Sequence, residues 1–195
     1  TVLLYWLLDK DYDIHPLHIN YGQKTFTGEE NAIKQILPAI SKANLYQLNI
    51  ENIKGLGSGT LVGDYPEKMG KRKEWYEAEF FPNRNMILLS LASSYAYKIN
   101  SPNIAIGVNE ENSYSDTSKE FIKDMEKLLQ KFLGNFRIIA PFVEESKKKV
   151  AEEAIRLNVP LKKTFSCNVL EKRHCMLCTS CASRQKALEF IRELK

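Results

Sequence analysis

Outside the stretch Cys167 to Cys181 the sequence contains no cysteine, and no apolar run approaches the roughly 20 residues of a membrane span. The first absence excludes a disulfide framework spread over the fold, and the second excludes a membrane-spanning helix. Repeats, low-complexity tracts and a signal peptide ahead of the first element are also lacking, so the chain is expected to be soluble and cytoplasmic. An excess of one charge is missing too. The formal net charge of +4 suits a site for nucleotides or other anions, but gives no nucleic-acid footprint by itself. What is present is 195 residues, 44% of them hydrophobic, enough for one sizeable core. The expected division is a main domain over residues 1–158 with a small metal-held segment, 159–195, packed on it.

That segment holds all four cysteines, Cys167, Cys175, Cys178 and Cys181, spaced C-x7-C-x2-C-x2-C. Each C-x2-C turn supplies two neighbouring thiolates, so the run can bring four sulfurs to one tetrahedral metal. Zinc is the expected occupant, and an iron–sulfur cluster on Cys175, Cys178 and Cys181 is the alternative. Four thiolates close the shell and leave no position for a reactive water, so the metal is read as structural. A catalytic thiol with His174 as its base is disfavoured, because all four sulfurs are needed as ligands and bound thiolate is a damped nucleophile.

Along the chain, residues 1–9 are apolar at helical spacing with no cap, as if the chain began inside a helix, with a preceding strand and turn missing. Strands are expected at 14–20 and 45–50 around a helix at 29–40, which Pro38 kinks or ends; this rhythm implies a parallel sheet. Residues 51–80 break it. Five glycines crowd there with Lys68, Lys71, Arg72 and Lys73, as in a long loop over a site, either a lid or an ordinary insertion. Residues 86–97 are apolar almost all round, fitting a central helix or a subunit contact. A buried strand at 103–109 opens into the polar turn 110–116, where ligands sit in open α/β sheets. Thr117 and Glu120 read as a capping box, with Asp116 favouring the start of the helix that carries Phe121, Met125, Leu128 and Phe132. A strand at 136–142, a charged helix at 144–157 with Glu144 and Glu145 four residues before Lys148 and Lys149, and a last helix at 182–194 complete the reading.

In this order, Tyr21-Gly22-Gln23, Phe81-Pro82-Asn83-Arg84-Asn85, Gly107-Val108-Asn109 with Tyr114-Ser115-Asp116, and Pro160 to Cys181 closely resemble the 7-cyano-7-deazaguanine synthase (QueC) family of PP-loop ATP pyrophosphatases. The family's Pro-x-x-Lys-Thr-aromatic-Ser-Cys run is matched by Pro160, Lys163, Thr164, Phe165, Ser166 and Cys167, and its closing Cys-x-x-Arg by Cys181 and Arg184. The resemblance implies an α/β, Rossmann-like (adenine nucleotide alpha-hydrolase-like) parallel sheet with helices on both faces and a C-terminal zinc knuckle. It also implies that the first strand and the Ser-Gly-Gly-x-Asp-Ser ATP loop precede Thr1. Asn112 lies near where many relatives carry aspartate.

The implied reaction adenylates 7-carboxy-7-deazaguanine, lets ammonia displace the nucleotide to give the amide, then activates the amide oxygen and eliminates it to leave the nitrile. Structural Zn²⁺, ATP and Mg²⁺ are the implied cofactors, and a homodimer without membrane or direct nucleic-acid contact the implied state. Arg84, Asn85, Asp116 and Lys163 are the candidate catalytic residues, with Thr1, Tyr21 and Gln23 for the nucleotide. Arg84 has a structural reading as a link between a helix start and a loop. Rival readings are a QueC-like ligase joining a deazaguanine acid to another amine or a protein, a tRNA-thiolating relative, for which no cysteine is spare, and a non-catalytic zinc-knuckle module that binds nucleic acid.

Overall fold

The computed structural model describes residues 1–39, 45–57, 59–63, 78–110 and 114–193. Its architecture is α/β with parallel strands, and the chain forms two compact units: Thr1–Asp11 with Asn83–Leu157, and Tyr12–Pro82 with Asn158–Lys195. Among the described residues no helix is long and apolar enough to cross a membrane.

The first unit contains α1 (Val2–Asp9), α3 (Arg84–Lys98), β3 (Asn103–Ala105), α4 (Lys119–Leu133), β4 (Arg137–Ile139) and α5 (Lys147–Arg156). Strands β3 and β4 pair in parallel, Asn103 opposite Arg137 and Ala105 opposite Ile139, and the Ile106 N–H adds one more bond to the Ile139 carbonyl at 3.0 Å. Both strands are shorter than the apolar runs 103–109 and 136–142 suggest, since among the described residues each has a single ladder partner. Their inward side chains meet α3 and α4 in a core of Leu89, Ala96, Ile104, Val108, Ile122, Met125, Leu129, Phe136 and Ile138. The buried residues of α4 are Ile122, Met125 and Leu129, with Phe121 packed beside them, while Leu128 and Phe132 face solvent, Phe132 at 74% exposure.

Local chemistry sets the helix ends. The Phe121 N–H donates to Ser118 Oγ at 3.1 Å, so Ser118 caps α4 in place of the expected Thr117. Thr117 lies in a 3₁₀ turn, Ser115–Thr117, and its hydroxyl donates to the Tyr114 carbonyl. Likewise Ser146 caps α5 through the Lys149 N–H, which leaves Glu144 and Glu145 outside the helix; Glu144 pairs instead with Lys119. Helix α3 buries Asn85, Leu89, Ser93 and Ala96, keeps Ile87, Leu88, Leu91 and Ala92 half-buried, and exposes Met86 and Tyr97. At the far side Trp6 of α1 meets Phe142 edge-on, and Arg156 of α5 bridges Asp9 and Glu153 at 2.8 Å each.

The second unit contains β1 (Leu17–Asn20), α2 (Phe26–Ile36, continued as a 3₁₀ turn to Ala39), β2 (Tyr46–Asn49) and α6 (Thr179–Glu193). β1 and β2 are parallel, Leu17 opposite Tyr46 through Asn20 opposite Asn49. Helix α2 begins three residues earlier than its periodicity indicates, at Phe26, because Phe26 and Thr27 complete the first turn after Thr25. Helix α6 starts at Thr179, inside the cysteine run. Of the glycine-rich segment, Glu51–Leu56 is a 3₁₀ turn; the lysines and arginine read as a lid, and Asn112, lie outside the described residues. Gly59 sits at φ +105, where a Cβ would meet the Ala78 carbonyl oxygen at 2.0 Å, so this contact admits glycine alone.

Candidate metal centre and nucleotide-site residues

The sulfurs of Cys167, Cys175, Cys178 and Cys181 lie within 4.8 Å of one another. All four are free thiols, three of them buried and Cys175 half-buried. A tetrahedral zinc with bonds of about 2.3 Å has sulfur–sulfur edges of about 3.8 Å, and the Cys175–Cys181 separation is 3.9 Å, too long for a disulfide. Five backbone N–H groups point at the sulfurs: Val169 and Leu170 at Cys167, Leu177 and Cys178 at Cys175, and Cys181 at Cys178, at 3.2–3.4 Å. Such donors favour thiolate and orient the ligands. Met176 adopts a left-handed φ of 64 in the Cys175–Cys178 turn, where two of these donors converge.

Burial pushes the Cys178 thiol up and the Cys181 thiol up to about 11. At Cys167 burial acts upward as well, but the Leu170 and Val169 N–H groups outweigh it and hold the thiol below its ordinary value. Four clustered sulfurs of this kind ionise together only around a cation, which deprotonates a coordinating thiol outright. The donor set therefore fits a metal such as zinc. His174 beside Cys175 packs its ring on Phe165 at 5.2 Å, its Nε2 is buried without a hydrogen-bond partner among the described residues, and burial, with Arg184 nearby, lowers its pKa.

Three further contacts hold this segment, and sequence reading missed two of them. Glu79, 3% exposed, accepts from the Thr179 N–H at 3.1 Å, the Thr179 hydroxyl, and Asn168 Nδ2 at 2.9 Å. Gly28 of α2 lies so close that a Cβ would meet the Glu171 carbonyl oxygen and Phe165 Cζ, both at 2.6 Å. Arg184, singled out by its motif, donates to the Leu161 carbonyl at 2.6 Å and to Thr164 Oγ1, which pins the turn that carries Lys163. Lys163 itself is exposed.

Tyr21 and Gln23 come together at the end of β1. Gln23 Oε1 accepts the Tyr21 N–H at 2.9 Å, while Nε2 donates to the Ile19 carbonyl and to Glu29, each at 3.0 Å. Glu29 also takes the Thr25 hydroxyl at 2.6 Å and His18 Nε2 at 3.0 Å, and His18 stacks on Phe26. Burial alone would raise the Glu29 pKa, but the bonds from His18, Thr25 and Gln23 hold it below the usual carboxylate value. Gln23 is thus the hub that shapes the turn. Neither Glu29 nor His18 had a motif to mark it.

In the first unit, Asn85 and Asp116 meet. The Asn85 N–H donates to Asp116 Oδ2 and Asn85 Nδ2 to the Asp116 carbonyl, both at 3.0 Å. Asp116 therefore caps α3, not the helix that follows it, which corrects the expected capping role. Asn83 enters α3 with φ 57 and no side-chain cap of its own, so this external carboxylate supplies the missing acceptor. Arg84 is half-buried, with no ion-pair partner among the described residues. The Thr1 carbonyl accepts from the Leu4 and Tyr5 N–H groups at the start of α1.

The family model described as queuosine biosynthesis protein QueC matches residues 1–192. The chain belongs to the QueC family. It is 52% identical over 190 residues to "7-cyano-7-deazaguanine synthase 1" of Desulfitobacterium hafniense, covering 97% of this chain and 86% of that protein. It is 35% identical to "7-cyano-7-deazaguanine synthase" of Sulfurimonas denitrificans over 94% of this chain and 85% of the relative. The protein of the same name from Campylobacter jejuni is 34% identical over 97% and 88%. Membership in QueC carries the PP-loop, Rossmann-like class, with which the parallel strands and intervening helices agree.

Proposed function

We propose that this QueC-family chain is an ATP-dependent C–N ligase that converts 7-carboxy-7-deazaguanine and ammonia to 7-cyano-7-deazaguanine (preQ0), for queuosine-type biosynthesis in the cytoplasm. The observation that carries this is the 52% identity, over nearly the whole chain, to a relative named 7-cyano-7-deazaguanine synthase. A carboxylate resists ammonia because it is a poor electrophile and hydroxide a poor leaving group. Transfer of an adenylyl group from ATP makes the acid reactive and releases pyrophosphate, and ammonia then displaces AMP to give the amide. A second ATP adenylates the amide oxygen; loss of AMP and a proton leaves the nitrile.

The protein's share of this work is alignment and charge neutralisation. Arg84 faces the phosphate charge, a role supported by its lack of a carboxylate partner among the described residues. Asn85 and Asp116 hold the start of α3 beside it, and Asp116 has a second carboxylate oxygen with which to meet Mg²⁺ or substrate. Exposed Lys163 is a further cation for the acid or phosphate. Thr1 in the first unit, and Tyr21 and Gln23 in the second, are the residues assigned to the nucleotide. Zinc on the four cysteines is structural. The exposed apolar residues Leu128 and Phe132 support a homodimer.

The test is mass spectrometry of products after incubating the full-length protein with the acid, ATP, Mg²⁺ and ammonium. Amide and nitrile are expected. Adenylated acid alone would make this a ligase for another amine, and absence of adenylation would overturn the reading.

A further inference from the structure

We propose that Glu79 is the positioning residue of the cysteine site, a buried carboxylate whose two oxygens hold the neighbours of Cys167 and Cys178 and so keep both arms of the knuckle in register. Its Oε2 takes Asn168 Nδ2 and the Thr179 hydroxyl, and its Oε1 takes the Thr179 N–H. Asn168 follows Cys167 and Thr179 follows Cys178 in sequence, so one side chain ties together residues 89 and 100 positions away from it.

The chemistry singles out a carboxylate. All three partners donate to Glu79, and an ionised Glu accepts at both oxygens, whereas Gln keeps one acceptor oxygen and makes Asn168 or the Thr179 hydroxyl turn round to accept from its N–H. No cation pairs with Glu79 among the described residues; its oxygens meet neutral donors at the start of α6, a place that favours an acceptor. The carboxylate is itself fixed: the Thr60 N–H donates to the Ala78 carbonyl at 2.6 Å, and Phe81, two residues on, meets Tyr21 edge-on at 5.6 Å. A flexible loop residue that happened to reach the knuckle would have neither anchor.

This inference rests on the metal reading of the four cysteines. The experiment follows zinc leaving the loaded protein for a chromophoric chelator, at a temperature where all variants are folded, with the visible spectrum of the cobalt-substituted protein as a second readout. Glu79→Gln is expected to release zinc about tenfold faster or more, in line with the effect of removing groups that orient ligands. Thr179→Val, which removes one of the three donors, should release it about threefold faster, and the double variant no faster than Glu79→Gln. Leu89→Ala in the first unit's core should melt earlier yet release zinc at the wild-type rate, separating positioning from general destabilisation.

Release from Glu79→Gln at the wild-type rate overturns the proposal, as do independent, multiplying effects of the two substitutions. Should Glu79→Gln not fold, wild-type release from Thr179→Val overturns it. If the wild-type protein takes up neither zinc nor cobalt, it is the metal reading that falls, and the role of Glu79 with it.

Discussion

The two compact units reach order by different chemistry. The first encloses apolar side chains contributed by α3, α4, β3 and β4 and adjoining residues such as Val108 and Phe136. The C-terminal part of the second has a cluster in which, among the described residues, Cys167, Cys178 and Cys181 are joined by Val169, with Phe165, Leu170 and Cys175 around it. A few apolar residues in an irregular run cannot outweigh the entropy of ordering the run. The four clustered sulfurs, which fit a metal, and the hydrogen bonds of Glu79 and Arg184 stand where that apolar area is missing. One region thus depends on contiguous hydrophobic area and the other on a handful of specific polar atoms, and the two should break differently.

The largest expected effect is at the metal. Cys178→Ser, or removal of metal by a strong chelator, should cost several kcal/mol and expose residues 165–182 to hydrogen exchange, while 120–139 keep their protection. Equal loss of protection in both regions would erase the contrast. Arg84→Ala should lower turnover about a hundredfold or more, as loss of a group that neutralises developing charge does, with an unchanged melting temperature; wild-type kinetics would leave Arg84 a structural link. Leu89→Ala, at 2% exposure in the apolar core, should cost about 3 kcal/mol in denaturant unfolding and leave zinc content intact.

Gly28→Ala drives a methyl into the Glu171 carbonyl and Phe165, and should cost about 2 kcal/mol with partial loss of metal; neutral behaviour would show that the cysteine segment moves freely away from α2. The smallest effect is in the pH profile. Because the folded-state pKa of Glu29 is depressed, its stabilisation is fully present above the ordinary value of about 4.3 and lost as pH falls through the folded pKa. Glu29→Gln should therefore melt earlier than wild type at neutral pH, with the gap closing below about pH 4. A gap constant with pH would remove the carboxylate from the account.

What could be read in the sequence follows the range of the interactions. Cysteine spacing is local, so the clustering of the four cysteines was legible, as were the helices with strong periodicity and the Arg184 position beside the last of them. Caps were harder. Thr117 and Ser118 are neighbours of similar chemistry, and only the chain path shows that Ser118 Oγ receives the Phe121 N–H. Asp116 looked like the start of its own helix, yet its carboxylate serves Asn85, 31 residues earlier. Glu79 was invisible because it stands in an aperiodic stretch and its partners are most of a hundred residues away.

By itself, the order of residues determined the fold class, the cluster of four cysteines and the family, because periodicity, cysteine spacing and short motifs are properties of neighbouring positions. Only the tertiary structure decided that the parallel strands pair as β1 with β2 and β3 with β4, and that Gly28 admits no side chain beside Phe165. It also brought the buried Glu79 carboxylate to Asn168 and Thr179, beside two of the cysteines. Each of these depends on which distant segments come within a few ångströms, and no local pattern encodes that distance.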